Sequence, residues 1–141
     1  MRGFLLLASL ALAGEAMAQP RPFNCVGAEQ LEDEVFAIPF APRASTPGPA
    51  AQGNLEAAAA LARQLPERNL CVLGHAGPQE GGATTGTQLA ARRAGAVAAA
   101  LAQLGVERDR IRAEARVAAY ARRGPIPAER SVTVVLLPQS P

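Results

Sequence analysis

The stretch NLCVLGHA, residues 69–76, constrains the fold of this chain more than any other, because its apolar residues do not alternate with polar ones. From Leu70 to Gly74, neither set of alternate positions carries a charged or strongly polar side chain. A strand with one solvated face alternates apolar and polar residues, whereas a strand buried on both faces is apolar throughout. The run therefore predicts an interior strand, and other parts of the chain must cover both of its faces.

Two alanine-rich segments flank this strand and predict helices. The first, LEAAAALARQL at residues 55–65, spaces three leucines among alanines and follows the predicted loop PRASTPGPAAQGN at residues 42–54. The second, QLAARRAGAVAAALAQLG at residues 88–105, has Thr87 as its predicted N-cap and Gly105 as its predicted stop.

Three further segments predict strands. The segment EVFAIPFAP at residues 34–42 mixes aromatic and β-branched residues, and Pro39 confines it to an edge or a bend. RIRAEARVA at residues 110–118 is a possible strand, and SVTVVLLP at residues 131–138 predicts the last one. The resulting order predicts an α+β fold over residues 34–138, a β-α-β-α-β-β sandwich with two helices packed on one face of a mixed sheet.

The beginning of the chain, residues 1–18, predicts a cleaved signal peptide. A single basic residue, Arg2, precedes the apolar run from Phe4 to Ala13, and Ala16-Met17-Ala18 is the small-x-small pattern that signal peptidase accepts. The run is short for a stable transmembrane anchor, which is the alternative interpretation. We expect an N-terminal segment at residues 19–33, no transmembrane segment after cleavage, and a location in the periplasm, in association with the outer membrane or the cell wall.

Export to an oxidising compartment bears on the two cysteines of the chain, Cys25 and Cys71. An even pair predicts a disulfide, which would tie the N-terminal segment to the interior strand, and two buried free thiols are the alternative. The formal net charge is only +2. That charge is too small for a protein that binds nucleic acid by neutralising phosphates, so no nucleic-acid partner is expected.

His75 is the only histidine, and it follows Cys71 by four residues. On a strand this spacing places the two side chains on one face but about 13 Å apart, too far for a nucleophile and its base. One histidine and two cysteines also leave a zinc site short of ligands. We therefore expect neither a metal site nor catalysis by this pair, and a secreted enzyme that uses His75 is only a third hypothesis, after the two given below.

Arg93 lies on the apolar stripe of the second predicted helix, in a row of residues four apart that also contains Leu89, Val97 and Leu101. An arginine that faces the core needs a partner. A structural ion pair would supply that partner, with Glu80 or Glu114 as candidates.

Taken in order, these segments resemble the OmpA-like peptidoglycan-associating domain of Gram-negative envelopes. That family has a strand ending in Gly-His-Thr-Asp, a helix with Leu-Ser-x-Arg-Arg-Ala, a Gly-Val or Gly-Ile turn before Arg-Ile or Arg-Leu, and a last strand with Asn-Arg-Arg-Val. The matching positions here are Gly74, His75, Leu89, Arg92, Arg93, Ala94, Gly105, Val106, Arg110, Ile111, Arg130 and Val132. The resemblance spans residues 34–138 and implies the same fold.

The resemblance also implies a ligand site, a cleft beside the strand end into which Arg93 would point. Domains of this family hold the diaminopimelate of a peptidoglycan stem peptide without a covalent bond. An aspartate after the strand takes the ligand ammonium group, and the second arginine of the helix motif, here Arg93, takes the ligand carboxylate through two parallel hydrogen bonds. Arg92, Arg130 and the His75 loop are expected to help, although a strand-end ion pair is the alternative for Arg130. No cofactor and no enzymatic activity are implied.

The chain departs from the family pattern where the ligand ammonium would bind. Ala76-Gly77 stands in place of Thr-Asp, so the expected carboxylate is absent, and Glu80 replaces it only if the neighbouring glycines let it fold back. Two hypotheses follow. In the first, the chain is an exported envelope module that binds peptidoglycan with weakened affinity. In the second, it is a related scaffold without wall binding that serves as a protein-interaction or structural element of the envelope.

Overall fold

The apolar run at residues 70–74 forms an interior strand of a four-stranded mixed sheet. The computed structural model describes residues 21–77, 80, 85–116 and 128–139, so the predicted signal peptide lies outside the described residues. The strands are β1 (Val35–Pro39), β2 (Leu70–Gly74), β3 (Ile111–Ala115) and β4 (Ser131–Leu136), and the helices are α1 (Gln52–Gln64) and α2 (Gly86–Gln103). Their order along the chain confirms the predicted β-α-β-α-β-β fold.

The sheet order is β1-β4-β2-β3, which places β4 and β2 in the interior. β2 pairs in parallel with β3 and antiparallel with β4, and β4 pairs antiparallel with β1. Every residue of β2 and β4 is buried, as the absence of alternation in the β2 sequence predicts. β1 is an edge strand, and Pro39 lies at its last position. An edge tolerates a residue that cannot donate a backbone hydrogen bond.

Both helices pack on one face of the sheet. The main core combines β-branched residues and leucines of the strands with alanines of α1 and the Val97 side of α2. The small alanine side chains let α1 pack close to the sheet. Gly74 likewise lets β2 pack close to α2. A Cβ at Gly74 would lie 2.0 Å from the carbonyl oxygen of Ala90, so only glycine allows the end of β2 to approach α2 this closely.

The N-terminal segment covers the other face of the sheet. Cys25 and Cys71 form a disulfide that joins this segment to β2, with their Cα atoms 5.8 Å apart. The bridge belongs to a second core, in which buried Leu73 and Val135 face away from the helices. Each side of the interior strands is thus covered by a different part of the chain, the helices on one side and the clipped segment on the other.

Two helix boundaries differ from those predicted. α1 begins at Gln52 rather than Leu55, because a 3₁₀ turn at Pro49–Ala51 leads into it. The N-cap of α2 is Thr85 rather than Thr87, since the Thr85 hydroxyl accepts a hydrogen bond from the Gln88 N–H at 3.3 Å.

Among the described residues, neither helix has the length and apolar character needed to cross a membrane.

Candidate functional site

Arg93 lies in the second turn of α2 and is completely buried, with 0% of its surface exposed. It shares the buried stripe of the helix with Leu89, Val97 and Leu101, which confirms the placement predicted by the four-residue spacing. A buried guanidinium destabilises a fold unless its donors are satisfied and its charge is balanced. The partners of Arg93 therefore determine what this residue can do.

Backbone carbonyl groups from separate parts of the chain accept hydrogen bonds from Arg93. In the loop after β1, Ala44 accepts from Nε at 2.8 Å and Ala41 accepts from Nη2 at 3.3 Å. At the end of β2, His75 accepts from Nη1 at 3.0 Å. Before β4, the carbonyl oxygen of Glu129 lies 3.5 Å from Nη1. The guanidinium thus joins the ends of β1, β2 and β4.

The carboxylate of Glu80 is the charged partner of Arg93. Oε1 accepts from Nη1 at 3.3 Å and Oε2 accepts from Nη2, so the two groups meet as a two-pronged ion pair. Each oxygen also accepts a backbone N–H, that of Gly77 on Oε1 and that of Arg43 on Oε2, both at 2.9 Å. The guanidinium carbon lies 5.3 Å from the centroid of the Phe40 ring, a distance suited to a cation–π contact.

These contacts determine the charge of Glu80, whose side chain is 12% exposed. Partial burial raises the pKa of this carboxyl group. The Arg93 guanidinium and the N–H groups of Gly77 and Arg43 lower it by more, so that the pKa falls from 4.5 to about 2. Glu80 is therefore ionised at neutral pH, and the pair with Arg93 carries both charges.

The closed surroundings of Arg93 differ from the open cleft that the family resemblance implies. Glu80 does fold back toward Gly77, with its N–H 3.2 Å from the Gly77 carbonyl oxygen, but its carboxylate pairs with Arg93 instead of standing free for a ligand ammonium group. The structure thus realises the ion pair with Glu80 that the sequence offers as the alternative. Glu114, the other candidate, pairs with Arg112 and Arg116.

A second carboxylate lies next to Gly77, where the family pattern has an aspartate. A Cβ built at Gly77 would lie 3.2 Å from Oε1 of Glu80 and 3.3 Å from Oε2 of Glu129. Gly77 is buried and Glu129 is exposed. A carboxylate from the segment that precedes β4 therefore lies beside position 77.

The other predicted site residues lie around this cluster. His75 is buried, and its carbonyl oxygen accepts a hydrogen bond from Arg93. Arg92 is exposed and Arg130 is half-buried. Within the part of the chain that the structure describes, neither of these two side chains forms a hydrogen bond or an ion pair, so the strand-end ion pair considered for Arg130 is not seen there.

Sequence reasoning missed the carbonyl groups of Ala41 and Ala44, and it also missed Phe40, Arg43 and Glu129. Phe40 is the residue after β1, and nothing in the sequence indicates that its ring contacts a cation. Arg43 contributes only its backbone N–H, and it has a left-handed φ of 63°, which the sequence does not indicate. Glu129 is distant in sequence from Gly77, and only the pairing of β4 with β2 brings the two together.

A second arginine, Arg110, is also completely buried. It donates to the carbonyl oxygens of Ala62 at 2.8 Å, Leu65 at 3.1 Å and Arg68 at 3.0 Å, at the end of α1 and just beyond it. Its carboxylate partner is Glu107, three residues earlier, with Oε2 at 2.6 Å from Nε. Arg110 therefore closes the end of α1 at the opposite end of β2 from Arg93.

The described residues do not assemble a metal site. Within residues 21–77, 80, 85–116 and 128–139, no three His, Cys, Asp or Glu side chains lie close enough together to hold a metal ion. Cys71 is held in the disulfide with Cys25.

Comparisons with solved structures support the architecture. The OmpA-like domain of FopA1 from Francisella tularensis has a TM-score of 0.59 at 18% identity, covering 76% of this chain and 75% of that chain. The peptidoglycan-associated lipoprotein of Burkholderia pseudomallei gives 0.58 at 18%, covering 72% and 88%. The periplasmic domain of Helicobacter pylori MotB gives 0.56 at 17%, covering 72% and 77%. At these identities the similarity concerns the fold.

Comparison at the level of sequence identifies the family. No curated protein sequence is significantly similar to this chain. The sequence model of the OmpA family, however, matches residues 40–130, from the end of β1 to the start of β4. This range contains Arg93, its carboxylate partner Glu80 and the loops that enclose them. The chain belongs to the OmpA family.

Proposed function

We propose that this chain is an exported, non-enzymatic module of the cell envelope that binds peptidoglycan through Arg93, in the periplasm or in association with the outer membrane or cell wall. One observation carries the proposal. The family-motif arginine lies at the ends of three strands and holds a carboxylate through two parallel hydrogen bonds. A guanidinium in this arrangement is selective for planar carboxylates, and the peptide stems of the wall carry such groups.

The ammonium group of the ligand is assigned to Glu129. A diaminopimelate end carries an ammonium group and a carboxylate, so a site for it needs a carboxylate as well as an arginine. Glu129 is exposed and its Oε2 lies 3.3 Å from a Cβ built at Gly77. Arg92 and Arg130, which form no bond to described side chains, are assigned to further contacts with the wall, and His75 positions Arg93 through its carbonyl group.

The name of one similar structure agrees with the proposal that this chain binds peptidoglycan. The Burkholderia pseudomallei protein is named a peptidoglycan-associated lipoprotein, and it shares the fold over 72% of this chain. The fold alone does not specify a ligand. The proposal therefore rests on Arg93 and the groups around it, and the shared fold agrees with it.

Co-sedimentation with purified sacculi at low salt tests the proposal. We expect weak but measurable retention of the wild-type protein. Arg93→Lys keeps the charge but loses the planar fork, so we expect retention to fall about tenfold or more. Arg108→Lys, at an exposed arginine in the turn before β3 and outside the assigned site, is the matched control and should change retention less than about twofold. Circular dichroism establishes that each variant is folded.

Equal retention of the wild type and folded Arg93→Lys, or no retention of either, contradicts the proposal. The second outcome favours the other candidate function, a scaffold that serves as a protein-interaction or structural element of the envelope without wall binding. The observation behind that candidate is the complete burial of Arg93 against Glu80, with Gly77 in place of an acidic residue.

The alternative has its own test. Gly77→Asp alone would place a third carboxylate beside Glu80 and Glu129, within 3.3 Å of both at its Cβ, and is expected to repel them. Gly77→Asp combined with Glu80→Gln removes one of those charges. If this double variant sediments with sacculi and the wild type does not, the scaffold interpretation is supported. If the wild type already sediments strongly, that interpretation is wrong.

A further inference from the structure

Four donors converge on the carboxylate of Glu80. The guanidinium of Arg93 supplies two of them, one to each oxygen, and the backbone N–H groups of Gly77 and Arg43 supply the other two, both at 2.9 Å. Each carboxylate oxygen thus receives one charged and one neutral donor. This is the full set of contacts that a buried carboxylate requires.

Contacts that do not involve Glu80 hold the Arg93 guanidinium in place. Arg93 is oriented by the carbonyl groups of Ala44 and His75, at 2.8 Å and 3.0 Å, and by the Phe40 ring. Arg43 holds a left-handed backbone conformation, with φ of 63°, that directs its N–H to Glu80 Oε2. Removing the Glu80 side chain therefore leaves a preformed site with a net positive charge, rather than a gap in an apolar core.

The enclosure of the pair sets it apart from an ordinary surface ion pair. The side chains of Arg93 and Glu80 are 0% and 12% exposed. In this environment a guanidinium without a carboxylate would be a buried, uncompensated charge. Any carboxylate that can enter will therefore be favoured at this position over a less directional anion such as chloride.

We infer that Arg93, with the N–H groups of Gly77 and Arg43, forms a carboxylate-binding site in which Glu80 is a built-in occupant that an external carboxylate must displace. Where that external group belongs to a wall peptide, the inference rests on the proposed function. Ligand affinity is then reduced by the fraction of molecules in which Glu80 occupies the site. Glu80 acts as an internal competitor, and the resting protein is autoinhibited.

Thermal unfolding of Glu80→Ala in sodium acetate tests the inference without any wall material. Acetate supplies the missing carboxylate, so the melting temperature should rise saturably, by about 4 °C at a few tenths molar, relative to sodium chloride of equal concentration. The wild type should show no such difference. Glu107→Ala is the matched control, because Glu107 is the exposed partner of the other buried arginine, Arg110, and its removal should create no acetate response.

An acetate response that is absent from folded Glu80→Ala, or equally large in the wild type, overturns the inference. Glu80→Gln supplies a second test if the alanine variant does not fold. Glutamine keeps the size of the side chain but removes its charge, so it competes less well for Arg93. Where the wild type itself sediments, retention of Glu80→Gln on sacculi should then exceed that of the wild type about tenfold. Measurable retention of the wild type with equal or lower retention of Glu80→Gln contradicts internal competition.

The acetate experiment and the sacculus experiment together separate the inference from the proposed function. If acetate stabilises Glu80→Ala while no variant sediments with sacculi, the carboxylate site stands and the wall ligand is wrong. If the wild type sediments through Arg93 while acetate has no effect and Glu80→Gln sediments no better, wall binding stands and the built-in competitor is wrong.

Discussion

Arg93 and Arg110 are both completely buried, both bonded to several backbone carbonyl groups and both paired with one glutamate, yet the structure supports different roles for them. The carbonyl partners of Arg110 come from the end of α1 and the residues just after it. Those of Arg93 come from the ends of three different strands. Arg110 completes one helix end, whereas Arg93 stands where several segments meet.

The two glutamates differ even more than the arginines. Glu107 is 57% exposed and lies three residues from Arg110, so it adds a local contact at the surface. Glu80 is 12% exposed and also accepts two backbone N–H groups. Burial of an arginine therefore does not distinguish a structural role from a ligand site. The proposed carboxylate site rests instead on the enclosure of the carboxylate partner of Arg93, and the following predictions test that distinction.

The largest effect is expected for Arg110→Leu. This change removes the guanidinium donor from the carbonyl groups of Ala62, Leu65 and Arg68, of which Ala62 and Leu65 still accept a backbone N–H. We expect the free energy of unfolding, measured in urea, to fall by about 4 kcal/mol. Carboxylate binding by the molecules that remain folded should not change. A loss below about 1 kcal/mol would show that this arginine does not hold the end of α1.

Glu80→Ala is expected to have the next largest effect on stability. It leaves the Arg93 guanidinium buried without a counter-charge and two N–H groups without an acceptor, so the free energy of unfolding should fall by about 3 kcal/mol in chloride buffer. Urea unfolding of wild type and variant measures this difference. A change as small as that at Glu107 would remove the distinction between the two pairs.

Acid should weaken the Glu80 pair in a defined range. The folded-state pKa of about 2 lies below the ordinary 4.5, so the contribution of Glu80 to stability is present above about pH 4.5 and is lost as the pH falls toward 2. Between about pH 7 and pH 3 we expect the wild type to lose about 2 kcal/mol more than Glu80→Gln. Urea unfolding at several pH values checks this, and equal losses in both proteins would contradict it.

The smallest effect is expected for Glu107→Ala. The carboxylate of Glu107 is mostly solvated, so its ion pair with Arg110 is screened by water, while the three carbonyl groups continue to hold the guanidinium. We expect the free energy of unfolding to change by less than about 0.5 kcal/mol. A loss comparable to that of Glu80→Ala would indicate that both arginines depend equally on their glutamates.

The sequence predicts the fold well, because the fold depends on periodicity that the sequence displays directly. The apolar run of β2, the alanine-rich helices and Pro39 at the edge each predict an element that the structure contains. The four-residue row in α2 likewise predicts the buried position of Arg93. Boundaries were less predictable, since either of two threonines can cap α2, and the hydroxyl that accepts a backbone N–H in the first turn is that of Thr85.

The site could be predicted only in part, because most of its donors and acceptors are backbone groups. The Glu80 pair appears among the alternatives, but the carbonyl groups of Ala41 and Ala44 and the N–H of Arg43 are available to any sequence. Glu129 comes near Gly77 through strand pairing that links distant parts of the chain. Such contacts follow from tertiary structure and leave no local pattern.

The most direct test of the central claim is an NMR titration that observes the side-chain Nε–H signals of both arginines while a soluble diaminopimelate-containing stem peptide is added to Glu80→Gln. Spectra of Arg93→Lys and Arg110→Lys assign the two signals. We expect the Arg93 signal to shift saturably with peptide concentration and the Arg110 signal to stay unchanged. An Arg93 signal that does not move, or one that moves no more than that of Arg110, would contradict the account.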